Sequence, residues 1–128
     1  MLEWHDRVVS QTVLIVDDHA GFRSWTRSLL ETEGFQVVGE TADGASAVTA
    51  ARDLRPDLVL LDVMLPDTTG FVVARRLAAL REPPVVILIS SREASDYGDV
   101  IGHSAAAGFI CKPDLTGSRL RDLIGDTR

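Results

Sequence analysis

The sequence predicts a doubly wound α/β domain, a five-stranded parallel sheet with helices on both faces. Two observations carry this. Apolar runs of strand length alternate five times with stretches of helical spacing, the mark of repeated strand–helix units. Within those runs successive residues, rather than every second one, are apolar, as strands buried on both faces of a parallel sheet require.

Thr12-Val13-Leu14-Ile15-Val16 is the first such run, largely β-branched and ended by Asp17-Asp18. Phe22, Trp25, Leu29 and Leu30 then recur near helical spacing, and Gly34 supplies the helix stop. Phe35 to Gly39 resumes a strand, and Gly44 to Leu54, rich in alanine, reads as a helix that must end before Pro56. Asp57 to Leu61 is the third strand, ending at Asp62 and followed by a loop with Pro66 and Gly70. Phe71 to Arg81 puts Phe71, Ala74 and Leu77 on one helical face, and Pro83-Pro84 closes that helix before the strand Val85 to Ile89. Ser90 and Ser91 end this strand. Alternation then predicts a fourth helix over Glu93 to Ala107, although Gly98, Gly102 and the scarcity of large apolar residues give it low propensity. Phe109 to Cys111 makes the fifth strand and Asp114 to Ile124 the last helix, with Leu115, Leu120, Leu123 and Ile124 as its apolar positions.

At 128 residues the chain fits one domain, expected over 12–125 between an N-terminal tail, 1–11, and a short C-terminal tail, 126–128. The longest apolar runs, Leu58 to Leu61 and Val85 to Ile89, are too short to cross a bilayer, and the mixed-charge start Met1 to Arg7 lacks the form of a secretory signal. A cytoplasmic protein with no membrane association is expected. The single cysteine, Cys111, fits a reducing compartment and a structural thiol. A formal net charge of −6 argues against direct binding of nucleic acid or anionic membrane.

In such a sheet the ligand lies beyond the carboxyl ends of the strands. There the sequence places Asp17 and Asp18 after the first strand, Asp62 after the third, Ser90 after the fourth and Lys112 after the fifth. Each alone has a structural explanation, as helix cap, turn former or strand end. Three carboxylates together do not, because two unit charges about 4 Å apart at an effective dielectric of about 20 repel by roughly 4 kcal/mol. Lys112 supplies one balancing charge. A hard divalent ion with oxygen ligands, Mg²⁺ above all, would supply the rest.

Val13-Leu14-Ile15-Val16-Asp17-Asp18-His19, Leu60-Leu61-Asp62-Val63-Met64-Leu65-Pro66 with Gly70, and Phe109-Ile110-Cys111-Lys112-Pro113 together resemble the response-regulator receiver domains of two-component signalling. The resemblance covers nearly the whole chain and implies the flavodoxin-like receiver topology. Phe22 and Arg23 after the Asp-Asp-His start are similar to receivers that precede a helix-turn-helix. No such segment follows Arg128, so the resemblance implies a stand-alone receiver or one cut from a longer protein.

The resemblance also implies roles. Asp62 would be the phosphoacceptor, taking a phosphoryl group from a sensor histidine kinase, a phosphotransfer protein or a small donor. Asp18 and Asp62 would hold Mg²⁺ directly with the Met64 backbone carbonyl, and Asp17 through water. Lys112 and Ser90 would contact phosphoryl oxygens. Ser90 and Phe109 would form the switch. Ser90 lacks the methyl that stiffens a threonine's χ1, which implies a looser switch, and Phe109 stands where the family often has tyrosine, so it responds through packing or is simply a core ring. Met64 and Arg92 would flank the route of the hydrolytic water. The downstream protein partner is expected on the face of the fourth helix, fifth strand and fifth helix, with homodimerisation on phosphorylation as a further outcome.

Rival readings fare less well. A flavin carrier of this architecture needs a Gly- and Ser/Thr-rich phosphate loop where Asp17-Asp18 stands. A phosphatase working through an aspartyl phosphate wants a carboxylate two residues after the nucleophile, where Met64 stands. His19 beside two aspartates fits a helix start near water better than a closed zinc site. The remaining alternative is a binding module of the same fold that signals without phosphorylation.

Overall fold

The computed structural model describes residues 11–126, with side chains through Ile124. Trp4, His5 and nearly all of the expected N-terminal tail lie outside the described residues.

Five parallel strands, β1 (Thr12–Val16), β2 (Gln36–Thr41), β3 (Leu58–Asp62), β4 (Val85–Ser90) and β5 (Gly108–Cys111), stand in the order β2-β1-β3-β4-β5. Alternate residues of the apolar runs feed two cores. Leu14, Val16, Val59, Leu61, Val86 and Leu88 face helices α2 (Gly44–Leu54) and α3 (Gly70–Ala78), meeting Ala47, Ala51, Val73, Ala74 and Leu77. Val13, Ile15, Leu58, Leu60, Ile87 and Ile89 face α1 (Ala20–Thr32) and α4 (Gly117–Asp126), meeting Leu30, Leu120 and Ile124. Both faces are thus sealed by apolar burial, which the continuous apolar runs require. Cys111 is free and buried, as a structural thiol would be.

The ends of several elements differ from expectation for local reasons. Strand β2 reaches Thr41, two residues beyond Gly39, because it is an edge strand whose half-buried Glu40 is paired with Arg23 at 3.2 Å and Arg27 at 2.6 Å. Helix α3 stops at Ala78 instead of Arg81, the chain tightening into three-residue turns at Ala79 and Leu80. The last helix starts at Gly117 rather than Asp114, since Pro113 sits in a short 3₁₀ turn, Lys112–Asp114, and Thr116 Oγ1 accepts from Arg119 N at 3.0 Å as a cap.

The expected fourth helix, Glu93 to Ala107, is corrected. The chain there forms one 3₁₀ turn, Ala94–Tyr97, and then a series of turns. Gly98 has φ +60°, a backbone position costly for other residues, and no residue of the turn is fully buried, so there was no apolar face to hold a longer helix on the sheet.

One loop contact carries directly to the site. In the segment after β3, Asp67 accepts from Gly44 N at 2.8 Å and Ala45 N at 3.1 Å, so its carboxylate caps α2 from across the sheet edge. Next to it, Gly70 lies where a Cβ would stand 2.5 Å from the Asp62 carbonyl oxygen. Only glycine lets α3 start so close behind β3.

Candidate functional site: an acidic hollow at the strand ends

At the carboxyl end of the sheet a hollow of about 210 Å³ is lined by Asp18, Asp62, Met64, Ser90, Arg92 and Lys112 among others. Asp17 lies beneath it, wholly buried, and Asp62 is only 4% exposed. Adjacent parallel strands of matched register bring these groups together. β1 pairs with β3 through Val16 and Leu61, so Asp17 and Asp62 leave their strands side by side.

Lys112 is the only lysine of the sequence. Its Nζ is 2.7 Å from Asp17 Oδ2 and 3.2 Å from Asp62 Oδ2, and it rests 4.4 Å from the centre of the Phe22 ring. One cation therefore bridges two buried carboxylates over an aromatic face. Burial works against its charge, but the two carboxylates outweigh burial and hold the ammonium above its usual range. Burial likewise acts to raise the Asp17 carboxyl; the contacts with Lys112 and with the His19 N–H, at 2.8 Å, prevail and keep it below the usual carboxylate range. Asp62 goes the other way. Burial above all, with the Asp17 charge added, pushes it up to about 6, against the Met64 N–H that donates to Oδ1 at 3.1 Å.

Two neighbouring carboxylates driven in opposite directions mark a site short of positive charge. Asp17, Asp18, His19 and Asp62 offer ligand atoms within 4.8 Å of one another. The donor set is chiefly carboxylate oxygen, and the raised Asp62 would be relieved by a cation, so the residues fit a hard divalent ion. His19 Nδ1 lies 3.1 Å from both Asp17 Oδ1 and Asp18 Oδ1, with its side chain 70% exposed, so it stands at the open rim as the sequence led us to expect.

Of the residues singled out from the sequence, Asp18, Asp62, Met64, Ser90, Arg92 and Lys112 line this hollow, and Asp17 is buried beneath it against Lys112, while Phe109 does not line it. Phe109 instead packs edge-on against Tyr97, with centroids 5.9 Å apart, and Tyr97 packs in the same way on Phe71 at 5.6 Å. Tyr97 is the residue that sequence reasoning missed. Its hydroxyl lies 2.6 Å from Ser90 Oγ, which also accepts from Arg92 N at 3.0 Å. The one available signal was a lone aromatic in a polar stretch with no other side chain to bury.

Comparison with known proteins agrees with this geometry. Residues 13–124 match the family model of the response regulator receiver domain. The chain belongs to that family, the receivers of two-component response regulators. It is 41% identical over 100 residues to the virulence-factors transcription regulator BvgA of Bordetella pertussis, covering 78% of this chain and 48% of that protein. To the DNA-binding response regulator MtrA of Mycobacterium tuberculosis it is 43% identical over 106 residues, covering 80% of this chain and 44% of the relative. The chain thus spans about half the length of these curated relatives. Among solved structures, the signal receiver domain of the response regulator NarL from Mycobacterium tuberculosis superposes with a TM-score of 0.79 at 32% identity, over 92% of this chain and 95% of that one. A CheY-like receiver domain from Methylobacillus flagellatus gives 0.80 at 25% identity, over 93% and 99%. Receivers of this family work with histidine kinases and downstream output domains. Among the described residues no helix is long and apolar enough to cross a membrane.

Proposed function

We propose that residues 12–125 act as a phosphoacceptor switch, taking a phosphoryl group onto Asp62 from a phosphohistidine of a sensor kinase or phosphotransfer protein, or from a small donor. The observation that carries this is the Asp62 carboxylate itself, nearly buried at the floor of the hollow, 3.2 Å from the sole lysine and pushed up to about 6 by burial and by Asp17. Such a group is an awkward structural residue and a suitable nucleophile.

In the transfer an Asp62 oxygen attacks phosphorus as the phosphorus–nitrogen bond of the donor breaks, and the leaving imidazole nitrogen keeps the electron pair and takes a proton. Lys112 Nζ, already within reach of Asp62, shifts to an oxygen of the arriving group. Met64 N–H, which orients the carboxylate, stays with its oxygen. Asp18 and Asp62, the Met64 carbonyl and, through water, Asp17 would hold Mg²⁺, which when bound neutralises charge on the transferring group. Met64 and Arg92 flank the approach to Asp62 and tune loss of the group to water. Ser90 and Phe109 carry the signal to a protein-binding surface made of the 91–107 segment, β5 and α4. The acidic receiver signals through protein contact, a homodimer included, rather than by touching nucleic acid, and it resides in the cytoplasm.

The test is intact mass after incubation with acetyl phosphate or phosphoramidate. One acid-labile phosphoryl group is expected, only with a divalent metal and not in Asp62→Asn. Labelling undiminished in that variant overturns the assignment; a wild type that takes no label under any metal leaves a binding module that signals without phosphorylation.

A further inference from the structure

Ser90 is 2% exposed, and its hydroxyl accepts from Arg92 N and shares a 2.6 Å hydrogen bond with the Tyr97 hydroxyl. A serine hydroxyl has one proton to give. Either hydroxyl can donate in the bond with Tyr97, and in both cases that bond fixes the Ser90 rotamer, so a turn of Ser90 toward a group on Asp62 breaks it. That bond is no incidental surface contact. From Ser91 to Val100 every residue but Tyr97 is exposed, so Tyr97 is the one side chain of that stretch packed inward. Its ring lies between Phe71 of α3 and Phe109 of β5, edge-on to both.

We propose that Tyr97 is a latch on the switch hydroxyl: its phenol holds Ser90 turned from Asp62 in the resting protein, and its release frees residues 91–100 from the end of β4. Tyr97 is a positioning residue, acting through Ser90 and not on the phosphoryl group. The ring alone continues to pack on Phe71 and Phe109 after release, so the segment loses its polar tie while keeping an apolar one. The hydroxyl missing from Phe109 is in this way provided from a different element. The proposal rests on the phosphoacceptor reading given above.

Tyr97→Phe separates the two contributions, since it keeps the ring and removes only the hydroxyl. With Mg²⁺ present, beryllofluoride titrated into the protein and followed by ¹⁹F NMR should bind this variant about fivefold more tightly, the equivalent of one net hydrogen bond no longer broken. In a Ser90→Ala background the same change should do nothing, because the latch has lost its partner. Tyr97 is also the only tyrosine, so protein labelled with ¹³Cζ-tyrosine gives a single resonance that should move when beryllofluoride is added to wild type. Unchanged or weaker binding by Tyr97→Phe, or a resonance that stays put on saturation, overturns the latch while Asp62-dependent binding leaves the acceptor reading intact. If beryllofluoride binds neither wild type nor variant, the acceptor reading fails and the latch with it.

Discussion

Asp62→Asn should make the protein more stable in metal-free buffer, and the size of the gain follows from the site. Lifting a carboxyl from its ordinary 3.8 to about 6 corresponds to roughly 3 kcal/mol charged against the native state at neutral pH. Asparagine cannot ionise, keeps the volume, and still offers an oxygen to the Met64 N–H. It gives up the ion pair with Lys112, which retains Asp17 at 2.7 Å. A net gain of about 1–2 kcal/mol is expected, or about 4–8 °C in Tm for a domain of this size. The sign with pH is fixed as well. Because the native pKa lies above the unfolded one, the folded wild type binds more protons between about 4 and 6, and its stability rises as pH falls through about 6. The advantage of the variant is therefore full at pH 8 and shrinks by roughly 1.4 kcal/mol by pH 5. Thermal melts with chelator at both pH values test this: a variant melting at or below wild type at pH 8, or a gap that does not narrow at pH 5, refutes the electrostatic reasoning.

Lys112→Ala should destabilise by about 2–3 kcal/mol in chelator, since it strands two buried carboxylates; urea titration should show this loss, and Arg119→Ala on the exposed side of α4 should not. Protonation of Asp62 limits the damage, so the loss should diminish below pH 6. Gly70→Ala should cost about 2 kcal/mol, because its Cβ would meet the Asp62 carbonyl oxygen at 2.5 Å and Val63 Cα at 3.0 Å, both backbone. The same change should slow labelling of Asp62 by a small phosphodonor, measured by mass against time.

The sheet could be read from the sequence because burial on two faces leaves a one-dimensional trace: Val13 to Val16 and Leu58 to Leu61 are apolar at every position, and their strands lie inside the sheet, away from its edges. Edge strand β2 left a fainter trace, since Glu40 and Thr41 can stay polar there. The carboxylates and Lys112 were legible for a related reason. Each stands at the end of an apolar run, and parallel pairing sends all such ends to one side. Segment 91–107 could not be read by alternation, because alternation describes elements that bury a face, and this one buries only scattered side chains, the Tyr97 ring and parts of Ile101, Ser104 and Ala106. What sequence spacing could not give was partnership across elements. Asp67 reaches Gly44 from 23 residues away, and nothing at either position announces the other.

Tyr97 sharpens that distinction. Seven residues separate it from Ser90, a spacing that on an extended helix would carry it away from the strand end; it returns because the 3₁₀ turn, Ala94–Tyr97, is short and Gly98 reverses the chain at φ +60°. The low helix propensity that made this region hard to read is thus what positions its one functional side chain. A longer, better helix here would bury more surface and hold the segment through many contacts. Held by one ring and one hydroxyl, residues 91–100 can be released by the turn of a single serine, and the energy of one hydrogen bond is enough to bias them.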